Sequence, residues 1–149
     1  MTAALFACLL STSAFAPDPN LALYIAQQAK LNGVPLEIAE AIVSVESGWN
    51  PFATRRNRNG TIDAGLWQLN SRTIKWLAKR YNSGQPINAY DPYVSTRIAL
   101  KFIGDLYSVT GSWAATYASY NAGIGTVWSG DIPTHTVWYV KQIQERVSM

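Results

Sequence analysis

Few side chains in this sequence are of a type that supports acid–base, nucleophilic or metal chemistry. Nine acidic residues, one cysteine (Cys8) and one histidine (His135) stand among 149 residues. One cysteine excludes an internal disulfide framework and a cysteine-built zinc cage within a single chain. One histidine argues against an all-protein transition-metal site, so no metal and no cofactor are expected. Among the carboxylates, Glu46 is the one placed for chemistry. It closes a predicted helix whose apolar stripe is Ile38, Ala41, Ile42 and Val45, the spacing of one helical face. It lies roughly 100° from Val45 on the wheel, at the edge of that stripe. Partial burial raises a carboxyl pKa, and a helix C-terminus disfavours negative charge. A carboxylic acid still protonated near neutrality is what general-acid chemistry needs. Position alone also fits a surface glutamate at a helix end.

The elements that must position Glu46 read as mostly helical. Asp18 to Asn20 form a turn with a cap, Leu21 to Leu31 a helix, and Asn32-Gly33 its stop. Pro35 starts the Glu46 helix, which ends near Ser47-Gly48 before the breaker Asn50-Pro51. Residues 52–64 lack helical periodicity, and Asn59-Gly60 suits the tight turn of a small hairpin. Asn70 or Ser71 is expected to cap a third helix running to about Tyr81. Residues 83–92 read as loop. Val94 to Val109 is a fourth helix with Ile98, Phe102 and Leu106 on one face. Ser112 caps a fifth, running towards Asn121 and closed by Gly123 and Gly125. Thr134 to Val147 is the last, with Thr136, Val140, Ile143 and Val147 on its stripe. There are no repeats and no linker, so residues 17–149 read as one mainly α domain.

Residues 1–16 are uncharged and mostly apolar after Met1, and end in Ala14-Phe15-Ala16. They resemble a secretory signal peptide with an A-x-A cleavage site; the alternative is a buried or frayed N-terminal helix. Cys8 is then removed, lipidated or buried according to which applies.

Composition narrows the partners. The chain is 48% hydrophobic, which excludes disorder, and no apolar stretch is long enough for a multispan membrane protein. Six Trp, eight Tyr and four Phe suit sugar rings or bases as well as a core. The net charge is +3, and seven basic residues against one acid, Asp63, fall between Arg55 and Arg80. Such a patch attracts a polyanion, either nucleic acid or a wall polymer with carboxylate-bearing peptides. Arg72, Lys75, Lys79 and Arg80 fit the outer face of an amphipathic helix, whereas Arg55, Arg56 and Arg58 lie on a loop.

Four segments in order carry a family resemblance. Val45-Glu46-Ser47-Gly48-Trp49-Asn50-Pro51 resembles the Glu-Ser motif of the lytic transglycosylases, members of the lysozyme-like superfamily. Gly65-Leu66-Trp67-Gln68-Leu69-Asn70 resembles their Gly-Leu-Met-Gln motif, with Trp67 in the Met position. Ser119-Tyr120-Asn121-Ala122-Gly123 resembles Ala-Tyr-Asn-Ala-Gly, with Ser119 replacing Ala. His135-Thr136-Val137-Trp138-Tyr139-Val140 resembles Glu-Thr-Arg-x-Tyr-Val, departing at His135 and Val137. The resemblance covers about Leu21 to Val147. Residues 57–70 look most like the small specialised members, which open the wall for secretion or conjugation machinery or serve phages.

The resemblance implies a lysozyme-like helical domain that cleaves the β-1,4 bond between N-acetylmuramic acid and N-acetylglucosamine and leaves 1,6-anhydromuramoyl ends. It implies Glu46 as acid and then base, a scheme that suits a chain with few acids. Ser47 would hydrogen-bond near Glu46 or an N-acetyl group, or simply cap its helix. Gln68 and Asn121 would serve sugar hydroxyls and amides, and Tyr139 would orient the Glu46 carboxyl. Tyr120 and Trp67 would line the sugar groove, Trp67 alternatively lying in the core. Asp63 is either a second carboxylate across the cleft, giving a lysozyme-type hydrolase, or a turn residue. His135 reads as a helix N-terminal residue. The expected partners are peptidoglycan glycan strands and a secretion, conjugation or phage machine. The expected state is an exported monomer in the periplasm or cell envelope. A non-catalytic peptidoglycan-binding subunit is the alternative from another class. A nucleic-acid module would explain Arg55 to Arg58 and leave the four motifs unexplained, so no nucleic acid is expected.

Overall fold

The computed structural model describes residues 17–148; the expected export segment, residues 1–16 with Cys8, lies outside the described residues. The described chain runs α1 (Pro19–Leu31), α2 (Leu36–Ser47), β1 (Thr54–Arg56), β2 (Ile62–Ala64), β3 (Leu69–Asn70), α3 (Ile74–Tyr81), α4 (Pro92–Thr110), α5 (Trp113–Ala122), α6 (Ile124–Ser129) and α7 (Thr134–Val147). Local chemistry sets most of these bounds. Asp18 accepts from the Asn20 N–H at 2.9 Å at the start of α1, with Pro19 in the first turn. Asp91 accepts from the Tyr93 and Val94 N–H groups, so α4 begins at Pro92, slightly before the expected Val94. Gly48 ends α2 in the left-handed region (φ 59°), where a side chain would be strained.

Two expectations need correction. The third helix begins at Ile74 and its N-cap position, Thr73, makes no side-chain cap bond. Asn70 does not cap it because both faces of its amide are already engaged. Its Nδ2 donates to Asp63 and Thr61, and its Oδ1 accepts from the Arg72 N–H in a tight turn. Gly123 does close α5, but Gly125 lies inside the short α6, which the glycine pair concealed.

The hairpin expected around residues 52–64 is present, and a third strand extends it. The order is β1-β2-β3, all antiparallel. Register aligns Arg55 with Asp63 and Asp63 with Asn70, so one row of side chains crosses three strands. Arg56 pairs with Ile62 and therefore points to the opposite face.

The core lies between α1, α2, α4, α5 and α7, with the segment from Gly65 to Leu69 threaded into it. Ile25, Ile42, Ile98, Leu100, Ile103 and Ile143 are fully buried. Trp67 is also 0% exposed, and its indole N–H donates to Thr96 Oγ1 at 2.8 Å. Burying a ring of that size stabilises the fold by on the order of 3 kcal/mol. Gly65 permits this threading. Its φ is +77°, and a Cβ there would meet the Ala89 carbonyl oxygen at 1.8 Å.

Candidate active site

A cleft of about 860 Å³ opens between the small sheet and the α2, α5 and α7 helices. Glu46 lies in the last turn of α2 and lines it. Helix α7 packs across α2 and brings the Tyr139 hydroxyl to Glu46 Oε1 at 2.6 Å, where it donates a hydrogen bond. No other protein hydrogen bond reaches the Glu46 carboxyl among the described residues. Burial therefore dominates and pushes its pKa from 4.5 up to about 7. The Tyr139 hydrogen bond and the Arg55 charge pull it back down, and the Asp63 charge adds a smaller upward push. Glu46 is accordingly a carboxyl that can hold or release a proton near neutrality.

Two buried phenols line the same cleft. Burial holds both Tyr139 and Tyr120 well above the ordinary tyrosine range, so both remain donors. Tyr120 donates to the Trp67 carbonyl at 2.9 Å and lines the cleft. It thereby ties α5 to the threaded segment.

Asp63 faces the same cleft and is 6% exposed, but its surroundings differ. Its Oδ2 accepts from Arg55 Nε and Nη2 and from Asn57 Nδ2, at 2.8–3.2 Å. Its Oδ1 accepts from Asn70 Nδ2. These donors engage both carboxylate oxygens and join β1, β2 and β3 around Asp63.

Gln68 adopts φ +49° and donates to the Ala53 and Gly65 carbonyls, locking the turn while lining the cleft. Asn121 also lines it, and its Oδ1 accepts from Thr136 Oγ1 at 2.7 Å. His135, exposed in the first turn of α7, stands at the cleft edge.

Two motif residues whose places were left open do not line the cleft. Trp67 is in the core, because its flat apolar ring fills the space beside α4 and its N–H finds Thr96. Ser47 does not line the cleft; its hydroxyl reaches the Leu66 carbonyl at 2.8 Å and the Val43 carbonyl at 3.3 Å. It thus anchors the end of α2 to the threaded segment.

Other groups in the cleft were not expected to meet there. Asn57 and Asn70 complete the Asp63 shell, and Arg58 and Arg72 line the wall beside it. Only the strand register brings them together, and a two-residue β3 has no periodicity to read. Among the described residues no group of three His, Cys, Asp or Glu is arranged to hold a metal ion.

Comparison with known proteins places this geometry. Invasion protein IagB of Salmonella typhimurium (strain SL1344) is 36% identical over 98 residues, covering 65% of this chain and 60% of that protein. Protein IpgF of Shigella sonnei is 31% identical over 90 residues, covering 60% and 59%. The match thus spans about three fifths of these relatives' length. The lytic transglycosylase Slt of Pseudomonas aeruginosa, solved as an inactive mutant, superposes with a TM-score of 0.69 at 23% identity, over 84% of this chain and 23% of that one. The 70 kDa soluble lytic transglycosylase of Escherichia coli gives a TM-score of 0.69 at 24% identity, over 83% and 23%. These likenesses establish the expected mainly α, lysozyme-like fold. The profile of the transglycosylase SLT domain matches residues 23–131, a segment that holds Glu46, Asp63, Gln68 and Asn121 and stops before α7. The chain belongs to the transglycosylase SLT domain family.

Proposed function

We propose that the chain is a peptidoglycan lytic transglycosylase with Glu46 as its acid and its base. The observation that carries the reading is a single under-solvated carboxyl, held by one tyrosine, in a cleft large enough for sugar rings. In the first step the Glu46 proton passes to the glycosidic oxygen. The bond from C1 of N-acetylmuramic acid breaks, and N-acetylglucosamine leaves with a free 4-hydroxyl. The positive charge left at C1 is stabilised by the ionised Glu46 and by the substrate's own N-acetyl oxygen. In the second step the Glu46 carboxylate takes the proton of the C6 hydroxyl, and O6 bonds to C1. Glu46 ends protonated, no water is consumed, and the product carries a 1,6-anhydro ring.

A pKa near 7 suits both halves of that cycle, because the group must donate and then accept. Gln68, Tyr120 and Asn121 would contact the sugars, and Tyr139 would orient Glu46. Asp63, with both oxygens held by donors, favours this scheme over the hydrolase that a free second carboxylate would give. Residues 1–16 would direct export as a cleaved leader, and residues 17–149 would act as a monomer on glycan strands in the periplasm. The relative named as an invasion protein supports service to a secretion machine over conjugation or phage release.

Mass analysis of fragments released from purified sacculi tests this reading. Anhydro ends from the wild type and no release by Glu46→Gln are expected. Binding without release by either protein would favour the non-catalytic subunit.

A further inference from the structure

Three arginines line the cleft, and only one has an acidic partner. Arg55 lies opposite Asp63 in the sheet register and pairs with it at 2.9 Å. Arg58 lies in the β1–β2 turn, and Arg72 follows β3, its N–H held by Asn70 Oδ1. Both are exposed, and neither forms an ion pair among the described residues. Asp63 cannot serve them, because its oxygens are already occupied. Glu46, the remaining acid of the cleft, is bonded to Tyr139 on the other wall. The sheet wall therefore carries two uncompensated guanidinium groups at its rim. Arg72 precedes α3, so it does not belong to that helix's solvated outer face. Arg56, on the far side of the sheet, and Lys79, on α3, are equally exposed but do not line the cleft.

We propose that Arg58 and Arg72 form an anion subsite that binds carboxylates of the glycan substrate. The proposal rests on the cleft being the glycan-cleaving site. Sugar hydroxyls and N-acetyl groups are neutral, so carboxylates are the charges a strand presents to this wall. They come from two sources: the lactyl group of unsubstituted muramic acid and the stem peptide. A guanidinium fork matches either one in a bidentate pair. Because both arginines are exposed, the contribution is modest, screened by salt, and seen in binding more than in turnover.

The test compares Arg58→Gln/Arg72→Gln with a charge-matched control, Arg56→Gln/Lys79→Gln. Binding to sacculi is read by co-sedimentation in a Glu46→Gln background, and KM and kcat in the active protein. The rim variant should bind about three- to tenfold more weakly at low salt, with kcat held and the control unchanged. The difference should vanish on sacculi whose carboxylates have been amidated by carbodiimide coupling. Amidase-stripped strands keep only the lactyl carboxylate: a loss that persists there assigns that source, and a loss confined to intact sacculi assigns the stem peptide. Equal weakening of rim and control variants, or a rim effect that survives amidation, overturns the subsite. If the unsubstituted protein releases no fragments, the catalytic reading fails instead, while the binding comparison still decides the rim.

Discussion

The two walls of the cleft each carry a carboxyl group, and they treat it in opposite ways. The helical wall holds Glu46 with one donor, Tyr139. The sheet wall holds Asp63 with four hydrogen bonds from Arg55, Asn57 and Asn70. Both groups are withdrawn from water. Burial, only partly offset by the Tyr139 hydrogen bond and the Arg55 charge, lifts the Glu46 pKa to about 7. Burial with a full set of donors instead makes Asp63 the centre of a rigid row across three strands. The two carboxyls thus differ in the side chains that reach them: Tyr139 alone for Glu46, and Arg55, Asn57 and Asn70 for Asp63.

The largest effect that can break this contrast belongs to Glu46→Gln. Fragment release should fall by about a hundred- to ten-thousandfold, measured as soluble products from sacculi. The same variant should become more stable relative to the wild type as pH rises. The folded protein keeps the Glu46 proton up to about pH 7, while the unfolded chain loses it near 4.5. Wild-type stability therefore falls across that window, by at most on the order of 3 kcal/mol, and is fully reduced above it. Glutamine has no proton to lose, so thermal melts of the two proteins should diverge in favour of the variant as pH rises from about 4.5 to about 7, and the gap should stay constant above that.

Next comes Asp63→Asn. One oxygen becomes an NH2 group facing Arg55 or Asn70, so a donor meets a donor. A loss of about 1–3 kcal/mol is expected in denaturant melts, with the anhydro product retained. Loss of product without loss of stability would move Asp63 into the chemistry. Tyr139→Phe ranks third. Removing its hydroxyl takes away a contact that lowers the Glu46 pKa, so the alkaline limb of the pH–rate profile should move to higher pH. The rate should fall roughly tenfold from poorer orientation. Ser47→Ala ranks last. Loss of the Leu66 carbonyl bond should cost about 1 kcal/mol of stability and leave KM unchanged, because the hydroxyl faces the fold and not the cleft.

The same contrast explains what could be read from the sequence. Most helices were legible because their caps and stripes are local: Asp18, Gly48 and Ser112 each act within a few residues, whereas Asp91, read as loop, caps α4 two residues before its expected start. Glu46 was legible as the end of an apolar stripe. Its partner is 93 positions away, so Tyr139 entered only through a motif. The Asp63 shell had neither kind of signal. Its donors come from β1, the turn after it and β3, and strands of two or three residues are too short for alternation to show. The same shell drew Asn70 away from the helix that its type suggested it would cap. Trp67 was open between groove and core, and Thr96, 29 residues on, decides for the core by accepting the indole N–H.

In the proposed reaction Glu46 performs both proton transfers and water takes no part. Digesting sacculi in heavy-oxygen water tests it most directly. Fragments lighter than the hydrolysis product by one water, with no heavy oxygen at C1, are expected from both the wild type and Asp63→Asn. Reducing ends labelled with heavy oxygen in the wild type, and lost in Asp63→Asn, would contradict it.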